Sequence, residues 1–92
     1  MTPFVYLMVS EPDYPEFLAV CVDRNMLPVD YKTFLQRLEK VSNNVRAKGV
    51  VTAQVYIKPQ DFANWCSVEG IATDTRARTR YAAHVYYLNS KK

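Results

Sequence analysis

The sequence predicts an α+β fold, a small sheet of about three strands covered by three helices in the order β-β-α-β-α-α. Three features point to it. Apolar residues recur at spacings of three and four from Tyr31 to Val45, and again from Ala77 to Leu88, as in helices with one buried face. Residues 50–57 alternate instead, with Val51, Ala53, Val55 and Ile57 on one side, the period of a half-buried strand. The chain has only two glycines, Gly49 and Gly70, and both stand where a helix should stop.

Taken in order, residues 4–9 form a continuous apolar, aromatic and β-branched run, hence a first strand. Pro12 and Pro15 mark residues 10–16 as a loop. Residues 17–23 (FLAVCVD) read as a second strand, paired with the first as an antiparallel hairpin. A loop through Pro28 leads to Asp30, an N-cap residue type. The stripe after it is Tyr31, Phe34, Leu35, Leu38, Val41 and Val45; Arg46 and Lys48 suit the C-terminal end of that helix before Gly49. After the strand at 50–57, Pro59 opens a short helix that buries Phe62, Trp65 and Cys66. Gly70 ends it and Ile71 folds back over the break. Thr73 or Asp74 caps a last helix that runs to about Asn89.

Ninety-two residues, 49% of them hydrophobic, are expected to form one compact domain over 1–92. The net charge of +3 is unevenly spread. Residues 1–29 carry −3, residues 30–57 carry +3 and residues 58–92 carry +3. Such an asymmetry can orient a protein on a polyanion. Cys21 and Cys66 sit inside apolar segments, away from any metal-like or redox-like spacing, and read as buried free thiols of a reducing compartment. The apolar run at 4–9 is too short for a leader or a membrane span, so a cytoplasmic location is expected.

Most catalytic chemistries lack their residues. His84 is the only histidine, which with isolated cysteines removes ordinary zinc sites. A Cys–His nucleophile pair would use cysteines placed in the core and has no recognisable orienting acid. Two glycines 21 residues apart make no phosphate loop. Glu11, Asp13 and Glu16 cluster without the spacing of a calcium loop. The chain is therefore expected to be a non-enzyme without cofactor or metal.

The last helix carries the one feature that leans toward function. At about 100° per residue, Ala77, Tyr81, Val85 and Leu88 share a core-facing arc, with His84 at its edge. The opposite flank holds Arg76, Arg80, Ala83, Tyr87 and Lys91; Arg78 borders the apolar stripe within reach of Asp74. Arg76 and Arg80 have no acidic residue at helical spacing. Arginine forks match phosphate or carboxylate, and tyrosine stacks on bases. The Gly70–Ile71 corner resembles the turn of a helix-turn-helix, but Arg76 stands where that motif buries an aliphatic, so the family is not assigned. Tyr6, Tyr31 and Tyr81 look internal, whereas Tyr14, Tyr56, Tyr86 and Tyr87 have no evident core role and suit an interface.

The expectation is a binding protein that engages nucleic acid or a ribonucleoprotein through Arg76, Arg78, Arg80, Tyr87, Lys91 and Lys58. The alternative is a small inhibitor or adaptor, of the kind phages and mobile elements encode, that covers an acidic protein surface. A third reading is a homodimer formed through the sheet edge or Tyr86 and Tyr87.

Overall fold

The computed structural model describes residues 3–90. Strand β1 (Phe4–Met8) leads through a 3₁₀ turn (Glu11–Asp13) into helix α1 (Tyr14–Val20). A second 3₁₀ turn (Arg24–Met26) precedes α2 (Tyr31–Ala47). Then follow β2 (Thr52–Tyr56), α3 (Pro59–Glu69) and α4 (Thr75–Ser90). The class is mixed α+β, but the described residues form four helices and one sheet of two parallel strands, in register from Phe4↔Thr52 to Met8↔Tyr56.

This corrects the expected three-strand, three-helix order. Residues 17–23 are not a strand, and there is no hairpin. Pro15 lies in the first turn of α1, where its fixed φ favours a helix and its missing N–H costs nothing. Tyr14, Phe17, Leu18 and Cys21 then recur at helical spacing, and Tyr14, Phe17 and Cys21 are buried. A short unbroken apolar run fits a buried helix and a buried strand equally by period, and here the helix wins. Arg24 secures its end, with Nε and a guanidinium nitrogen donating to the carbonyls of Leu18 and Ala19 at 3.3 and 3.2 Å. The real partner of β1 lies 48 residues further on, reached by the α1–α2 crossover.

The other boundaries follow local chemistry. Asp30 caps α2 through Oδ2, which accepts from Thr33 N–H at 2.9 Å. Gly70 closes α3 at φ 71°, with Ile71 N–H on the Cys66 carbonyl at 3.0 Å. Asp74, not Thr73, caps α4: its Oδ1 accepts from Ala77 N–H at 3.0 Å. Thr73 instead ties α4 to the end of α1, donating to Val20 C=O at 2.6 Å and accepting from Val22 N–H at 3.1 Å.

Helices lie on both sides of the sheet. Leu7, Val9, Val55 and Ile57 join one core with Ala77, Tyr81 and Ala82 of α4 and with Phe62 and Cys66 of α3. The even-numbered side meets α2, where Ser42 donates to Thr52 at 3.4 Å. Phe17 is fully buried at the centre, its ring 6.0 Å from Phe34, 6.1 Å from Tyr14 and 6.4 Å from Phe62. Tyr14 is core, contrary to expectation, and its hydroxyl donates to Pro28 C=O. Phe17→Ala should cost about 3–5 kcal/mol of stability. Denaturant titration should show this as a lower midpoint at unchanged slope.

Candidate functional site

The sheet's hydrogen-bond alternation fixes what β1 offers. Phe4 N–H donates to Val51 C=O at 2.8 Å, and Ile57 N–H donates to Met8 C=O at 2.9 Å. In a parallel ladder this points the backbone groups of Phe4, Tyr6 and Met8 toward β2. Those of Val5, Leu7 and Val9 point the other way. Val9 C=O accepts from the Tyr31 hydroxyl at 2.7 Å. The N–H and C=O of Val5 and Leu7 meet no partner among the described residues.

Two hollows flank that edge. One, of about 220 Å³, is lined by consecutive β1 residues together with Phe17, Leu27, Phe34 and Leu38, and has Arg78 in its wall. The other, of about 320 Å³, lies between the start of β1 and α4, against Ala83, Tyr86 and Tyr87. They share Phe4, Val5 and Thr79, so they form one groove along β1. Its surface is predominantly apolar.

The outer face of α4 is arranged as the helical arithmetic implies. Arg76, Arg80, Ala83 and Tyr87 are all exposed, and Tyr87 is 57% exposed. At about 100° per residue Arg76 falls in angle between Ala83 and Tyr87, and with Arg80 it lines a separate hollow against Ile71 and Ala72. The core arc differs in detail. Ala82 is fully buried and Tyr86 half-buried, whereas Leu88 is 50% exposed. Tyr56 is exposed on β2.

The other charged residues expected in the site are engaged elsewhere. Arg78 makes a two-pronged pair with Asp23 at 2.7 and 2.9 Å, not with the Asp74 side chain, and also donates to Thr75 at 2.9 Å. Its side chain is only 13% exposed. Lys58 pairs with Asp13 at 3.1 Å. Arg80 sits 3.6 Å from Glu69, across the Gly70 corner, with its guanidinium 5.6 Å from the Trp65 ring centre. Trp65 also stacks near Tyr81 and His84, at 5.2 and 5.6 Å. Lys91 lies outside the described residues. The acidic partners of Arg78 and Arg80 lie outside α4, so helical spacing could not reveal them. The groove was equally hidden, because it depends on the free side of β1.

Burial pushes both thiols up from their ordinary range, Cys21 despite the neighbouring Arg78 guanidinium, so both are protonated at neutral pH. Among the described residues no three His, Cys, Asp or Glu side chains gather as a metal site, and no helix is long and apolar enough to cross a membrane.

The Asp23–Arg78 pair has a pH signature. The hydrogen bond from Arg78 holds the Asp23 carboxyl below its ordinary value. A depressed folded-state pKa stabilises above the unfolded-state value, near 3.9, and that contribution is lost as pH falls through the folded-state value. Asp23→Asn should therefore destabilise by about 1–3 kcal/mol at pH 7. The gap to the parent should narrow in denaturant titrations below pH about 4.

Residues 3–90 match the model of a family described as a domain of unknown function, DUF8829, and the chain belongs to that family. No curated protein and no solved structure matches it.

Proposed function

We propose that this chain is a non-enzymatic protein-binding module that covers a partner surface with the outer face of α4 and the groove between α4 and β1. One observation carries the reading: an aromatic, apolar groove containing Phe4, Ala83, Tyr86 and Tyr87 lies open beside the helix that also carries the exposed Arg76. The partner is a protein whose contact patch is apolar at its centre and acidic where it meets Arg76. Arginine and tyrosine around an apolar centre are the composition of interface hot spots. Buried, protonated thiols suit a reducing compartment, and we place the protein in the cytoplasm.

Nucleic acid is the competing partner. Its support is reduced because Arg78 and Lys58 are committed to Asp23 and Asp13, and Arg80 to Glu69 and Trp65. Of the arginines in the expected phosphate-binding face, Arg76 alone makes no such contact among the described residues. Affinity for nucleic acid would fall steeply with salt.

The test uses the tagged chain as bait in nuclease-treated extract of its source cell. A stoichiometric protein partner should be recovered. Ala83→Arg, an exposed change on the groove wall, should reduce recovery at least about tenfold, and Arg76→Ala by about two- to tenfold. Random single- and double-stranded oligonucleotides should not bind at low salt. Recovery that is indifferent to Ala83→Arg, or oligonucleotide binding abolished by Arg76→Ala with Arg80→Ala, would overturn the reading.

A further inference from the structure

We infer that the groove takes an extended peptide segment of the partner as an added strand on the free edge of β1. This rests on the protein-docking reading above and names the form of the docked element. The argument begins with backbone polarity. Four main-chain groups, the N–H and C=O of Val5 and Leu7, face away from β2 and have no partner among the described residues. They alternate donor and acceptor at strand spacing. The natural complement of that row is the backbone of another extended chain.

Side-chain space agrees with it. Alternate residues of an added strand point to opposite faces. One set would enter the hollow beside Phe17, Leu27, Phe34 and Leu38. The next would enter the hollow beside Ala83, Tyr86 and Tyr87. Both are apolar, so the segment carries apolar residues at two or more positions of each set, and its acidic residues lie beyond the strand, toward Arg76.

Position excludes a second copy as the occupant. The edge is recessed between residues of α2 (Phe34, Leu38) and residues of α4 (Thr75, Arg78, Thr79). A twofold partner would have its own β1 behind the same walls, so the two edges could not meet. A single extended segment has no such walls. The sequence of β1, FVYLM, also contains neither the charge nor the proline that discourage edge pairing.

The test pans a displayed library of random twelve-residue peptides against the immobilised full chain, followed by NMR of the labelled protein with an enriched peptide. Enriched sequences should be apolar and β-branched. The amide resonances of Val5 and Leu7 should shift and become protected from exchange, whereas Tyr6 and Met8, already bonded to β2, should change little. N-methylation of the peptide at one alternate set of positions should weaken binding at least about tenfold, and at the other set by no more than about threefold. Absence of enrichment, equal effects of the two methylated sets, or binding that leaves Val5 and Leu7 unshifted would overturn strand addition. Peptides that shift only α4 resonances would do so while leaving docking through α4 in place. Failure of the Ala83→Arg experiment would instead remove the docking surface itself.

Discussion

The structure turns on a sheet that has only two strands among the described residues. Parallel pairs have evenly spaced, slanted hydrogen bonds and usually sit inside larger sheets covered on both faces. Here α4 and α2 supply the cover, but among the described residues no third strand closes either edge. The core therefore depends on helices holding two short strands in register. Along β1 the unclosed edge lies at the floor of an apolar groove, and the proposed activity resides at that place.

What holds α4 against this sheet is a long-range polar clamp. Val20 at the end of α1, with Val22 and Asp23 after it, engages Thr73 before α4 and Thr75 and Arg78 in its first turn. The Asp23–Arg78 pair is mostly shielded from solvent. A shielded pair adds little net stability over a well-packed apolar one, yet losing one partner leaves the other charge stranded. Its contribution is to fix one orientation. With the N-terminal turn of α4 pinned, Thr79, Ala83 and Tyr86 are set at the groove.

Local rules made much of this legible in the sequence. Asp30, Gly49, Pro59, Gly70 and Asp74 marked helix ends through capping and φ preferences that act within a few residues. The outer face of α4, with Arg76, Arg80, Ala83 and Tyr87, followed from its period. Residues 17–23 failed because a short run of six apolar residues before Asp23 has no distinguishing period, and Pro12 and Pro15 suggested a loop where they open a 3₁₀ turn and a helix. The remaining misses are non-local. Asp23 lies 55 residues from Arg78, Glu69 lies across the Gly70 corner from Arg80, and β1 pairs with β2 rather than with its sequence neighbour. None leaves a signal at short spacing, so the arginine ridge looked freer, and the sheet more complete, than they are.

The half-built sheet is tested most directly by amide hydrogen exchange in β1 of the free protein at low concentration. With an open outer edge, the amides of Val5 and Leu7 exchange at least about tenfold faster than those of Tyr6 and Met8, whose protons are held by β2. Equal protection of all four would mean that a strand already covers the edge, and the groove would not be a vacant docking place.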